Sequence, residues 1–342
     1  MKPNYCLNRM IARLTSCCCI MFAVAFASVS RAQDTAIPQV QATYSEATGI
    51  GPQDGVMRRD PSDIIKVGDL FYVWYSKGPQ SSGYNATIWY ATSADGHQWN
   101  ERGMSLPKGP PGSWDEHSVF TPNILVAENR YWLFYTAVPE PFIGKGPQTT
   151  PTAIGVAVSD SADGPWQKID SNPVLKISDD HDDFDSLRVD DACLVVRDGK
   201  YWMYYKGRQW NKSPAETKLG LAVADKPAGP YVKHSGNPLI AGNHEVLVWP
   251  QGEGVAAMIG TVGPKSITRS IMYASDGLRF TKTHDVANVP TAAGAYRPEA
   301  FTDSGTGEPI QWGVHIGKQK QFLPFIERFE LKFSDHQRRN TP

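Results

Sequence analysis

Three segments of this chain spell nearly the same β-strand. Asp69 to Ser76 reads DLFYVWYS, Asn129 to Thr136 reads NRYWLFYT, and Gly199 to Lys206 reads GKYWMYYK. Each is short, rich in aromatic and β-branched residues, and preceded by a polar turn and an apolar run (Ile64 to Val67, Ile124 to Val126, Leu194 to Val196), which is the pattern of a β-hairpin. A second strand pattern follows each hairpin: Ile88 to Gly96, Ile154 to Asp160 and Leu221 to Asp225. A weaker fourth copy runs from Val255 to Gly260 and Ile271 to Gly277. A fifth runs through Phe301, Gln311 to Ile316 and Phe325 to Phe333. Outermost strands end on Trp99, Trp166, Tyr231 and Phe280. The unit is a four-stranded antiparallel meander of roughly 50 to 70 residues, and a repeat of that length marks a propeller blade. With no helical period along the chain, the sequence predicts an all-β fold, a five-bladed β-propeller over 56–342, with a β-sandwich as the weaker alternative. Packing between blades accounts for most of the aromatic stripe.

Composition fits this architecture. Of 342 residues, 41% are hydrophobic, and 30 Gly and 26 Pro supply many turns. Lys plus Arg is 34 against 35 Asp plus Glu, a formal net charge of −1, so nothing electrostatic draws the chain to nucleic acid or an anionic membrane.

Residues 1–32 read as a secretory signal. Lys2, Arg9 and Arg13 form a basic start, and the apolar run from Cys17 to Ala27 is too short to span a bilayer. Ser30-Arg31-Ala32 places small residues for cleavage before Gln33. Export to the periplasm or outside the cell is expected, with 33–55 as an N-terminal extension. Four of the 5 cysteines fall in the signal, leaving Cys193 as a core residue without a disulfide partner.

Polar residues collect where each repeat begins, and in a propeller those inner strands line the central channel. The five starts are Met57 to Asp63, Trp114 to Asn123, Asp185 to Asp191, Asn243 to Pro250 and Ala295 to Glu299. Carboxylates, His and Arg recur there at places a strand would fill with apolar residues. Brought together in one wet channel, they suit acid/base hydrolysis of a glycosidic bond: one group protonates the leaving oxygen while another activates water. Arg59, Arg188 and Arg297 can fork onto sugar hydroxyls or carboxylates. Glu116 and His117 are assigned to substrate binding. Trp114, Trp210 and Trp249 are stacking platforms or plain packing.

These residues resemble a known family. Arg58 to Ser62 leading into Ile64 to Gly68 and Tyr72 to Tyr75 looks like the first blade of glycoside hydrolase family 117. Asp185 to Asp191 before Gly199 to Trp202, and His244 to Pro250, resemble its third and fourth blades. The resemblance runs from about Gly55 to the last blade. It implies a five-bladed exo-α-1,3-(3,6-anhydro-L-galactosidase) acting with inversion on agar-derived neoagaro-oligosaccharides. It also implies Asp60 as general base, His244 as general acid with Glu245 beside it, and Asp191 as the residue that tunes pKa and stabilises the transition state. Adjacent strand residues point to opposite sides, so only one of Asp190 and Asp191 faces the channel. Aligning the aromatic strands pairs Asp60 with Asp190, whereas the resemblance favours Asp191. A histidine acid is reasonable if a carboxylate keeps it protonated near neutral pH. No cofactor is required, and a divalent cation in the channel is an expectation of the resemblance. So is a dimer built by exchange of an N-terminal helix, but Gln33 to Gly55 shows no helical period. A homodimer is therefore expected only in another form. The rival readings are an arabinofuranosidase- or xylosidase-like propeller enzyme with Glu245 or Glu116 as the acid, and a non-catalytic sugar-binding propeller.

Overall fold

The computed structural model describes residues 37–79, 85–141, 150–242, 246–298 and 307–334. The expected signal peptide lies outside them, as do His244 and Glu245. The described residues are all β apart from one short 3-10 turn, Pro214–Glu216. No helix among them is long and apolar enough to cross a membrane.

The repeats fold as the hairpin pattern predicts. The first sheet runs Met57–Arg59, Leu70–Gly78, Thr87–Ser93, Trp99–Leu106, with Ile65–Val67 continuing the inner strand. A second runs Ser118–Ala127, Arg130–Val138, Ala153–Ser159, Gln167–Lys168, with Leu175–Lys176 also on Ala153–Ser159. The third runs Arg188–Arg197, Lys200–Arg208, Lys218–Ala224, Val232–Lys233. The expected separate fourth and fifth sheets are one: an 8-stranded sheet carries Val246–Gln251, Gly254–Ile259, Ser270–Ala274 and Thr281–Ala287, then Gln39–Glu46, then Phe325–Phe333, Trp312–Gly317 and Gly294–Ala295.

Gln39–Glu46 is the joint. It pairs parallel to Thr281–Ala287 and antiparallel to Phe325–Phe333, so the segment read from sequence as an extension ahead of the propeller is a strand inside it. Its alternation buries Val40 and Ala42 while Gln39, Gln41 and Thr43 face out. A lone polar strand carries too little signal to be recognised without the edges it fills.

Buried side chains lie between sheets, and the interfaces run in a circle. Trp74, Ile88 and Tyr72 of the first sheet pack with Leu133, Tyr135 and Ala157 of the second. Phe134 and Val156 of the second meet Met203, Tyr205 and Ala222 of the third. Tyr204 and Leu221 meet Val255 and Ala257. Val314 and Ile326 close back on Val73 and Tyr75 of the first sheet. Trp166 of the second sheet stands edge-on to Trp74 of the first at 5.8 Å, confirming the packing role of the outer aromatics. This ring of face-packed meanders is a propeller.

Candidate active site

The inner strands of the first three sheets break at the same place. In the second sheet Phe120 pairs with Thr136 and Asn123 with Phe134, so residues 121 and 122 stand opposite 135 alone. In the third, Asp190 pairs with Lys206 and Cys193 with Tyr204, so 191 and 192 stand opposite 205. The first sheet holds one residue more: Arg59 pairs with Ser76 and Ile65 with Tyr72, putting five residues opposite three. Each break begins on a residue with left-handed backbone, Asp60 (φ 50), Thr121 (φ 44) and Asp191 (φ 51). Aspartate tolerates that region better than most side chains, and a bulge of this kind re-aims the side chain it carries.

All three re-aimed residues line one narrow cavity of about 40 Å³, with Pro61, Pro122, Asn123, Ala192, Cys193, Val246, Ala292 and Ala293. Asp60 is 7% exposed and its Oδ2 accepts from Arg59 Nε at 2.8 Å. Asp191 accepts from Lys206 Nζ, which also lies 3.4 Å from Asp190 Oδ1. Burial pushes the Asp191 carboxyl up to about 7; Lys206 opposes the rise, and Asp190 and Asp60 add to it. A carboxyl titrating near neutrality beside a second carboxylate is an arrangement for proton-coupled chemistry.

Of the two neighbouring aspartates, Asp191 is the one that lines the cavity. Asp191 is the bulge residue equivalent to Asp60; Asp190 is the last ladder residue before it, opposite Lys206, and does not line the cavity. The extra residue in the first sheet's bulge is why alignment on the aromatic strands pairs Asp60 with Asp190. His244 and Glu245 lie outside the described residues, but Val246, which follows them, lines the cavity.

Several residues read as sugar ligands have other occupations. Arg297 is 4% exposed and holds Asp63 Oδ2 at 2.8 Å, with Nη1 also reaching the carbonyls of Leu194 (3.1 Å) and Val248 (3.5 Å). It ties the inner strands together away from the cavity lining. Trp249 is 1% exposed in the core of the large sheet, so its reading as a platform gives way to packing. Arg188 is buried on the ladder opposite Arg208. Glu116 is exposed and accepts the Gly112 N–H at 2.6 Å. His117 is half-buried, and its Nε2 has no hydrogen-bond partner among the described residues. Trp210 stacks on His181 at 4.9 Å. Trp114 stacks on Tyr135 at 5.7 Å and lines a separate apolar pocket with Pro139, Pro151 and Pro173. Gly155 permits that stack, since a Cβ there would come within 2.8 Å of the indole.

Sequence reading did not single out Thr121, Asn123 or Lys206 as site residues, and took Cys193 for a core residue. The signal for Thr121 is present: Thr121-Pro122 stands before its aromatic strand much as Asp60-Pro61 does. Lys206 occupies the ladder place of Ser76 and Thr136, a charge where the first two sheets carry a hydroxyl. Among the described residues no group of three or more His, Cys, Asp or Glu is placed to hold a metal ion. With Asp60 on Arg59 and Asp191 on Lys206, the described residues do not fit a divalent cation.

The glycosyl hydrolases family 43 profile matches residues 55–192. In structure the chain is similar to Zg3597, a family 117 glycoside hydrolase produced by the marine bacterium Zobellia galactanivorans. That match has 31% identity and a TM-score of 0.76, and covers 85% of this chain and 90% of the other. Among curated proteins it is similar to an extracellular endo-α-(1→5)-L-arabinanase of Thermotoga petrophila (26% identical over 211 residues) and a xylosidase/arabinosidase of Bacteroides ovatus (36% over 66 residues). Those matches take in 56% and 19% of this chain, and span only 41% and 19% of those two relatives' own lengths.

Proposed function

The chain belongs to glycoside hydrolase family 117, and on that premise we propose that this glycosidase is an exported, exo-acting, inverting enzyme. It releases a terminal α-1,3-linked 3,6-anhydro-L-galactose, or a related sugar, from agar-derived oligosaccharides. The observation that carries the reading is the pair of carboxylates, Asp60 and Asp191, set on equivalent bulges facing one cavity.

Asp60, held by the Arg59 guanidinium, takes the proton of an attacking water. His244 donates a proton to the glycosidic oxygen, with Glu245 as the neighbouring carboxylate that favours its charged form. Asp191 stabilises the positive charge that develops on the sugar ring as the bond breaks. No step passes through a cofactor. The reading counts the 8-stranded sheet as two blades of four, which makes five. Export rests on the signal-like residues 1–32 and on likeness to an extracellular relative. Gln39–Glu46 pairs within its own chain, which supports a homodimer formed by another route than exchange of an N-terminal helix.

The test is incubation of the mature chain with neoagarobiose and neoagarotetraose, following the released anomer by NMR. Anhydrogalactose in the inverted configuration is expected. His244→Gln should lower turnover by about 10²–10⁴-fold with binding largely kept, and Asp60→Asn should bind without turnover. Full activity of either variant removes that residue from its role. The match to family 43 supports a second reading, hydrolysis of arabinose- or xylose-containing oligosaccharides at the same carboxylates. Release from those substrates but not from neoagarobiose would select it.

A further inference from the structure

The left-handed backbone at Asp191 needs something to hold it, and the holder sits in the neighbouring sheet. Thr136 is fully buried, and its Oγ1 accepts both the Asp191 N–H at 3.3 Å and the Thr121 hydroxyl at 2.6 Å. One sheet earlier the same device recurs: Ser76, also fully buried, accepts the Thr121 N–H on Oγ at 2.9 Å. Ser76 and Thr136 occupy equivalent ladder places, each opposite the last paired residue before its own sheet's bulge. A second-strand hydroxyl thus grips the first bulge residue of the following sheet. At the third place stands Lys206, which holds the Asp191 carboxylate instead.

We propose that Thr136 is a positioning residue for the hydrolytic reaction: by accepting the Asp191 N–H across the junction of the second and third sheets, it fixes the bulge that aims the Asp191 carboxylate into the cavity. A buried N–H that loses its acceptor carries an uncompensated desolvation cost, and a left-handed aspartate has other backbone regions to relax into. Relaxation would turn the carboxylate away from the groups now facing it. Among the described residues those are Lys206 and Asp190 of its own sheet, Asp60 of the first sheet and the Cys193 thiol. The inference rests on Asp191 serving a glycosidase site, so its test has one arm that needs no substrate.

The comparison is among Thr136→Val, which keeps shape and removes the acceptor, Thr136→Ser, which restores it, and Ser76→Ala, which frees Thr121 instead. In the mature chain without substrate, ¹³C NMR follows the Asp191 carboxyl, assigned by its disappearance in Asp191→Asn. The valine variant should lower its titration midpoint by about one pH unit or more as burial is lost, while Thr136→Ser and Ser76→Ala keep the parent's midpoint. On neoagarobiose, the valine variant should lose on the order of 10²-fold in kcat with little change in KM, and serine should recover most of it. A valine variant with the parent's midpoint overturns the proposal, as does a serine variant as impaired as valine. If the parent does not cleave neoagarobiose, the substrate reading fails while the titration still decides the role of Thr136. If the valine chain does not fold, Thr136→Ala removes the same acceptor and is judged by the same midpoint.

Discussion

Asp191 shows how one residue's surroundings set both its chemistry and its cost. A carboxyl whose midpoint is raised from 3.8 to about 7 binds its proton more tightly in the folded chain than in the unfolded one. The folded state therefore loses stability as pH rises through that window, and loses none of it below the ordinary carboxylate value. Replacing Asp191 with Asn removes the ionisation while leaving Lys206 its contact with Asp190. The variant should be more stable than the parent above pH 7, by on the order of 4 kcal/mol, and equally stable near pH 3.5. Urea titrations at both pH values check this; a difference independent of pH would show that folding does not raise the carboxyl's midpoint. Cys193 lines the same cavity, and burial pushes its thiol up to about 12. It is a packing residue, as the absence of a partner cysteine suggests.

At the scale of elements, recurrence separates structural carboxylates from the pair on the bulges. Tyr75, Tyr135 and Tyr205 occupy the same place in the first three sheets, and each hydroxyl donates to a carboxylate: Glu101 at 2.8 Å, Asp115 at 3.3 Å and Asp185 at 2.7 Å. Lys168 and Lys233 complete the second and third networks, Arg58 and Lys77 the first. Asp115 and Asp185 open their repeats as conspicuously as Asp60 does, yet they hold sheets together. Sequence position could not distinguish the two classes, because both lie at repeat starts and only the bulge turns one class inward. Arg297 belongs with the structural class. Removing one partner of a buried ion pair leaves the other charge uncompensated, so Arg297→Ala should cost about 3–5 kcal/mol of stability. Asp63→Asn combined with Arg297→Met should recover part of it. If Arg297 were a sugar ligand instead, the alanine variant would keep its urea midpoint and show a raised KM.

For the whole molecule, closure is the weak point of any ring of sheets. Here Gln39–Glu46 lies between Thr281–Ala287 and Phe325–Phe333, joining the N-terminal segment to the C-terminal strand. A chain beginning at Ala47 would expose both of those edges and lose the packing of Val40 and Ala42 against Trp249 and Phe329. It should unfold on the order of 10 °C lower and scatter light on heating, which differential scanning calorimetry with turbidity would show. An unchanged transition would mean the ring closes without that strand. The large sheet also explains why the repeats were easier to find than to count. The fourth and fifth copies lack the aromatic strand of the first three, and their boundary is a strand drawn from the other end of the chain.

Local pattern in the sequence gives the repeating hairpin, the all-β propeller class, the interfacial role of the aromatics and the collection of polar residues at repeat starts. These follow from local alternation and turn residues, which a strand expresses wherever it sits. Tertiary structure alone decided that Asp191 rather than Asp190 joins Asp60, that Thr121 and Lys206 share their surroundings, that Arg297 and Trp249 are interior, and that residues 39–46 close the ring. Each depends on register or on pairing between distant segments. One extra residue in a bulge reverses which side chain faces the cavity, and the linear spacing of the aromatic strands does not record where that residue is inserted.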